Sequence, residues 1–247
     1  MKERVLIIGA TSAIAAEVAG RHAARGDALY LVGRNPEKLD AVVRRCGGAV
    51  LGSRVADLTE LEHNEALIAT VIAELGALDR VLIAHGALGD QLASERSFAA
   101  ASATLCANFT SVVSLLIPLA NHLETAGAGR IGVITSVAGD RGRPRNYTYG
   151  AAKGALHIYL QGLRTRLYSR GVAVTTLKLG PVDTPMTTDH QKHALFGKPT
   201  LVADGVIAAM DARTAEAYVP SFWRLIMPIV KLTPEPLFQR LRFLSGR

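Results

Sequence analysis

Tyr149 and Lys153 stand four residues apart in NYTYGAAK, and Ser136 closes an apolar run thirteen positions before the tyrosine. Helical residues four apart share a face, so the phenol and the ammonium can serve one pocket. A free tyrosine titrates near ~10 and exchanges protons poorly at neutral pH. A neighbouring cation favours the phenolate and is expected to lower that value. Ser136 would hold the other end of a carbonyl or alcohol. Such groups can move a proton on and off oxygen while a hydride moves on carbon. Tyr147 does not qualify, because Ala151 lies four residues on. Alone, a Tyr-x-x-x-Lys is commonly an interfacial tyrosine beside a solvated lysine. The serine on a separate strand and a dinucleotide-type turn near the N-terminus favour the catalytic reading.

The elements that must position these groups follow from the hydrophobic pattern. RVLII at 4–8 reads as a buried strand, and a helix runs to about Arg25. Between them lie Gly9, Thr11, Ser12, Ala13 and Ile14. Strand, tight turn and helix aim backbone N–H groups and a helix N-terminus at a phosphate. ALYLV at 28–32 is a second strand, ending in Gly33-Arg34. No Asp or Glu stands at its tip to hold ribose hydroxyls, whereas Arg34 suits a 2′-phosphate, which predicts NADP(H) over NAD(H). The plain alternative for Arg34 is a surface side chain beside the helix 36–46. Further strands fall at 49–55, 79–84, 130–136, 172–179 and 215–219. Helices alternate with them, one capped by Thr59, one over 102–124, one from Tyr149 to about Ser169 and one over 200–211. The alternation predicts an α/β fold around a parallel sheet.

The totals are consistent with that fold. Of 247 residues, 49% are apolar and only 5% aromatic, as suits helices packed on a buried parallel sheet. One domain is expected over 1–220, with an aromatic and basic extension over 221–247 belonging to it. The start has too short an apolar run for a signal peptide, and no apolar stretch is read as long enough for a membrane span. Cys46 and Cys106 are expected as plain thiols in the cytoplasm. The net charge is +7, but no basic run with interleaved aromatics appears, so no nucleic-acid partner is expected. His190 and His193 lack a third ligand, and no metal is expected. The extension from Phe222 carries Arg224, Lys231, Arg240, Arg242 and Arg247 against Glu235. Its Phe222, Trp223, Phe238 and Phe243 among cations suit peripheral contact with a membrane, at its inner face. A subunit contact or a cover over the substrate cleft is favoured slightly over this, because prolines 228, 234 and 236 interrupt any long amphipathic helix.

With Ser136, Tyr149-Gly-Ala-Ala-Lys153 and the turn at Gly9, the whole chain resembles the short-chain dehydrogenase/reductase family. That resemblance implies a Rossmann-like, doubly wound, parallel seven-stranded sheet with helices on both faces. It implies that Lys153 also holds the nicotinamide ribose. Asn108 would kink its helix and hold a water that links to the lysine. Asp57 and Leu58 would meet the adenine. Ala84, His85 and Gly86 would line the cofactor, His85 bracing or lining rather than transferring protons. Gly180, Val182 and Thr184 would face the nicotinamide carboxamide, and 187–199 would form a substrate lid. The chain departs from the family pattern at Ala13 and Ala15, which replace glycines and so need ordinary dihedrals. It departs again at Ile83-Ala84-His85-Gly86, where asparagines are usual, and at Leu179, which replaces a proline. A homodimer or homotetramer through 102–125 and 149–169 is implied.

Within the family, IAHGALGDQ, NFTSVVSLL, SVAGDRGR, NYTYGAAK and YVPSFWRLIM resemble the reductase half of decaprenylphosphoryl-ribose 2′-epimerase and its bacterial relatives. Those relatives reduce a keto sugar on a polyprenyl phosphate. Arg141, Arg143 and Arg145 would then grip a phosphate, or else form a solvated rim or an oligomer contact. The substrate is expected to be a small-molecule or lipid-linked carbonyl. Alternatives are a reductase of a soluble ketone or 3-oxoacyl thioester, and a nucleotide-sensing subunit without turnover.

Overall fold

Strand-forming runs and helical stripes alternate along the chain as the hydrophobic pattern requires. The computed structural model describes residues 2–187 and 195–241. His190, His193, Arg242, Phe243, Arg247 and most of the expected lid lie outside them. The strands are β1 (Arg4–Ile8), β2 (Ala28–Gly33), β3 (Val50–Val55), β4 (Arg80–Ile83), β5 (Gly129–Ser136), β6 (Val172–Leu179) and β7 (Glu216–Val219). They form one parallel sheet in the order β3-β2-β1-β4-β5-β6-β7. The order reverses between β1 and β4, and in such sheets ligands bind outside the carboxyl ends of the strands at that point.

Alternate residues of each strand feed opposite layers. Leu6 and Ile8 pack with α3 (Asn64–Leu75), α6 (Ser111–Ala126) and α7 (Tyr147–Tyr168). Val5 and Ile7 pack with α1 (Ala13–Ala24), α2 (Pro36–Cys46) and α8 (Pro199–Asp211). The short helix α4 (Gln91–Ser94) and α5 (Phe98–Leu105) follow β4. After β7 come α9 (Trp223–Leu232) and α10 (Glu235–Arg240). Trp223, Met227, Val230 and Phe238 pack with Val137 in a third cluster. The extension is therefore seated on the segment that follows Ser136. α9 continues through Pro228, and Pro236 lies in the first turn of α10, so only Pro234 stands at the break between the two helices.

Several expectations need correction. Thr59 caps no helix. Its hydroxyl and N–H instead donate to Asp57 at 2.7 and 3.0 Å, and α3 starts at Asn64 after a turn of 3-10 helix. The helix expected over 102–124 is longer and broken in type. α5 passes through a π-turn at Cys106–Thr110 into α6. By length and composition the run Phe98–Ala126 is apolar enough to cross a membrane, contrary to the expectation that no stretch would be. Its Val112, Leu115, Leu116, Leu119 and Leu123 are spent in the core against the sheet, as in a core helix of a folded domain.

Candidate active site

β5 carries Ser136 to the carboxyl edge of the sheet, where its hydroxyl accepts the Ala138 N–H at 3.1 Å. α7 begins at Tyr147, two residues before Tyr149. Its first-turn N–H at Thr148 donates to Gln91 Oε1 at 3.0 Å, satisfying a donor that a helix start leaves open. Tyr149 and Lys153 then lie one turn apart on the same face. Lys153 is buried, its ammonium 5.7 Å from the centre of the Tyr149 ring and 3.3 Å from the Ile134 carbonyl. Gly139 leaves room for α7 to approach, since a Cβ there would meet the backbone of Gly154 at 2.6 Å.

The electrostatics differ from the expectation in one respect. Burial pushes the Tyr149 phenol up to about 12, and only a hydrogen bond with Ser136 opposes it. Lys153 does not contribute. Burial lowers that ammonium to about 8, and its hydrogen bond goes to the Ile134 carbonyl on β5. The phenol is therefore held as the neutral acid, the form that donates to a carbonyl oxygen.

Asn108 sits at the π-turn and is fully buried. Its amide donates to the Ala87 and Thr104 carbonyls at 2.6 and 2.8 Å, and its Oδ1 accepts the Ala87 N–H at 3.2 Å. It ties the helix to the loop after β4. Gly86 has φ +156, and a Cβ there would stand 2.6 Å from Asn108 Oδ1 and 3.3 Å from Lys153 Nζ. The three residues thus crowd one point, which is why the position tolerates only glycine. His85 bonds Ser111 Oγ at 2.9 Å, and Ser111 donates onward to the Ala107 carbonyl at 3.2 Å. Burial, helped by the Lys153 charge, lowers His85 to about 3. It is a neutral brace between β4 and α6.

The turn after β1 is built for close approach. Gly9 has φ +79, and a Cβ there would lie 2.5 Å from the His85 backbone nitrogen. Gly9 and Ala10 both donate to the Val32 carbonyl at 2.9 Å. Ser12 caps α1, accepting the Ala15 N–H at 3.2 Å, and no acidic residue occupies the first turn. Ala13 and Ala15 keep ordinary dihedrals; among the described residues only Arg213 has a positive φ without being glycine. A dinucleotide pyrophosphate fits this cradle on its own terms, because the N-terminus of α1 carries no acidic residue in its first turn and Gly9 keeps the backbone before it bare of a side chain.

A family model described as short chain dehydrogenase matches residues 3–194. The chain belongs to the short-chain dehydrogenase/reductase family. This short-chain dehydrogenase is 33% identical over 240 residues to an uncharacterized oxidoreductase of Mycobacterium tuberculosis, covering 96% of both chains. A second, from Streptomyces coelicolor, is 32% identical over 242 residues, covering 96% of this chain and 95% of that one. A short chain dehydrogenase from Burkholderia cenocepacia, solved with NADP, superposes with a TM-score of 0.83 at 20% identity over 97% of each chain. ElxO with NADP bound gives 0.78 at 18% identity, over 89% of this chain and 97% of that one. The protein is accordingly an NAD(P)-dependent oxidoreductase on a Rossmann-like fold.

In this short-chain dehydrogenase Arg34 is exposed beyond β2, and its charge helps Thr59 hold the Asp57 carboxyl below its usual range. Leu58 turns into the core. Ala84 donates to the Ile8 carbonyl at 2.8 Å, fixing the switch point. Gly180 donates to the Val219 carbonyl at 3.1 Å, and a Cβ there would collide with the Trp223 indole at Nε1. Val182 bridges Gly197, and Thr187 donates to the Val182 carbonyl at 2.7 Å while accepting the Thr184 N–H at 3.2 Å.

The three loop arginines separate. Arg141 is not available to a substrate. It donates to the Val230, Lys231 and Thr233 carbonyls, pairs with Glu235 at 2.7 Å and lies 4.0 Å over the Phe238 ring. A cation at the end of α9 complements the helix dipole, so this arginine fastens the extension. Arg145 is exposed and Arg143 partly buried.

Sequence reasoning missed Gln91, Thr187, Trp223 and the group around Asp140. That carboxylate accepts from Tyr218 at 2.7 Å and Lys178 at 3.0 Å, with His157 at 3.4 Å. Burial alone would raise its pKa, yet His157, Tyr218 and Lys178 hold it well below the usual carboxylate range. Lys178, a lone cation inside the apolar strand VAVTTLKL, was the signal that a buried acid had to exist. The candidate metal group Glu3, His22 and Asp27 lies at the opposite edge of the sheet. His22 bonds Asp27 at 2.7 Å and Glu3 pairs with Arg80 at 2.8 Å.

One pH dependence follows. Charged Lys153 is lost as pH rises past about 8, while Tyr149 keeps its proton to about 12. For carbonyl reduction, kcat/KM should fall above about pH 8, close to tenfold per unit. In Lys153→Arg, which stays charged, activity is lower but that limb should vanish. A limb at the same pH in the arginine variant would assign it to another group.

Proposed function

We propose that this enzyme uses NADPH to reduce the carbonyl of a keto-sugar carried on a polyprenyl phosphate. The observation that carries the reductase part is a neutral, partly buried phenol bonded to Ser136 one helical turn from a buried ammonium. Bound NADPH supplies the hydride to the carbonyl carbon. Tyr149 gives its proton to the oxygen, which becomes the alcohol hydroxyl. Ser136 donates to that oxygen and keeps it in line with the phenol. Lys153 places positive charge beneath the site and holds the ribose, and Asn108 keeps the helix and the Gly86 loop in register.

The lipid-linked substrate is supported by the outer face of α9. Phe222, Leu225, Ile229 and Leu232 are exposed at helical spacing beside Arg224 and Lys231, the composition of a face lying in an anionic membrane surface. The buried Trp223 and Met227 sit on the opposite side, against the segment after Ser136. Exposed Ile117 and Ile158 on α6 and α7 support a homodimer through those helices. The test is NADPH oxidation with a short-prenyl phosphoryl keto-pentose, a 3-oxoacyl thioester and a plain ketone. Preference for the thioester would replace this reading with the acyl alternative.

NADPH as the coenzyme is supported by Arg34 and by the NADP seen in two proteins of like fold. Arg34→Ala should raise KM for NADPH roughly 10- to 100-fold, the size of a charged hydrogen bond, and leave that for NADH nearly unchanged. Equal effects on the two coenzymes would remove the 2′-phosphate contact.

A further inference from the structure

Arg141 and Arg143 are two positions apart on the loop joining Ser136 to Tyr149, and their surroundings are opposite. Arg141 has a carboxylate, three carbonyls and an aromatic ring. Arg143 has no hydrogen-bond or ion-pair partner among the described residues, and its Nε is buried with none. The nearest acid, Asp140, is already engaged by Tyr218, Lys178 and His157. Burial lowers the Arg143 guanidinium from its ordinary value, and Asp140 only partly opposes this. A guanidinium whose Nε is buried without an acceptor, and whose charge is only partly met, is left destabilised, so its presence calls for a compensating anionic ligand.

Other unmet polar atoms lie around the same loop. Gln91 Nε2 has no partner, though its Oε1 holds the residue before Tyr149. Trp223 Nε1 has none either; the indole is buried, set on Gly180 and packed with Val137, the neighbour of Ser136. Among the described residues the remaining buried atoms of this kind are His85 Nδ1, Arg80 Nη1 and Arg130 Nε. The last two belong to the ion-pair group of Glu3 on the far edge of the sheet. Three of these six unpaired buried atoms, on Arg143, Gln91 and Trp223, therefore belong to the loop that joins Ser136 to Tyr149 or to residues that touch it.

We infer that Arg143 is the residue that binds a negatively charged group on the carbonyl substrate, a phosphate or carboxylate. This rests on the reductase reading and narrows it: the enzyme selects anionic carbonyl compounds over neutral ones of the same skeleton. A guanidinium offers two parallel N–H donors to such a group, which fixes orientation as well as charge.

The test compares dihydroxyacetone phosphate with dihydroxyacetone in NADPH oxidation by the full chain, using wild type, Arg143→Gln and Arg143→Lys. Wild type should favour the phosphate ester about 10- to 100-fold in kcat/KM, as expected of hydrogen bonds to a charged group. Arg143→Gln should bring that ratio near one, and Arg143→Lys should restore part of it. A wild-type ratio near one, or an unchanged ratio in Arg143→Gln, overturns the assignment. So does a loss of NADPH affinity with the ratio intact, which would place Arg143 on the coenzyme. A second arm titrates inorganic phosphate and farnesyl phosphate calorimetrically into the protein–NADP⁺ complex. Tighter binding of farnesyl phosphate, lost in Arg143→Gln, supports a lipid phosphate as the source of the anion, and equal binding of both, likewise lost, supports a free one. Binding that survives in the variant counts against Arg143. If neither carbonyl is reduced by any variant, the reductase reading fails, and this arm still decides the anion site separately.

Discussion

Replacing Tyr149 by phenylalanine should lower kcat for carbonyl reduction by about two to four orders of magnitude, the usual worth of a positioned general acid. The ring keeps its place on α7, so the packing around it and the Lys153 ammonium 5.7 Å from its centre survive. Only the hydroxyl is removed, with its proton and its bond to Ser136. Burial holds the phenol at about 12, so the wild-type group is fully protonated at neutral pH. His85, lowered to about 3, carries no ionisable proton to give there. NADPH affinity should be within a few-fold of wild type, measured by fluorescence titration. Turnover that persists in Tyr149→Phe at near-normal rate would end the oxidoreductase mechanism given above. Loss of coenzyme binding together with turnover would mean that the ring, and not the hydroxyl, was the essential part.

Gly9→Ala should damage stability and coenzyme binding together. At φ +79 an L side chain is strained by about 1–2 kcal/mol. Its Cβ would also sit 2.5 Å from the His85 nitrogen and 2.8 Å from the His85 Cα, both backbone atoms. Overpacking of that kind adds about 1–3 kcal/mol. For a domain of this size the sum corresponds to a fall in Tm of roughly 5–20 °C. NADPH affinity should drop at least ~10-fold as the turn moves away from the pyrophosphate. Gly47→Ala is the control: its φ is +56, but nothing lies within 4 Å of the added atom. It should show the strain without the collision. Equal Tm losses in the two variants would mean that contact with the loop after β4 is unimportant.

The fold was largely legible because its signals are local. RVLII, ALYLV and VAVTTLKL are continuous apolar runs, and each became a strand close to its expected limits. The pairing of Tyr149 with Lys153 in the candidate site was legible because helical spacing alone brings them together. What escaped depends on partners far along the chain. Arg141 finds its carbonyls some ninety positions away, in the extension, so a loop of three arginines looked uniform until the fold divided them. Asp140 draws on three different elements, and only Lys178 betrayed it. The phenol's acidity was misjudged for a related reason. Spacing shows that an ammonium is near, but not that burial outweighs it. At Thr59, a serviceable capping residue was already claimed by Asp57 two positions earlier.

The chain has a single tryptophan, and the fold lays it against Gly180, at the start of the segment expected to meet the nicotinamide. Indole emission overlaps the absorption of the reduced ring and not of the oxidised one. Light absorbed at Trp223 should therefore pass to NADPH when it docks and return when it is oxidised. An unlabelled sample would in that way signal, turn by turn, both the occupancy of the cleft and the redox state of its occupant.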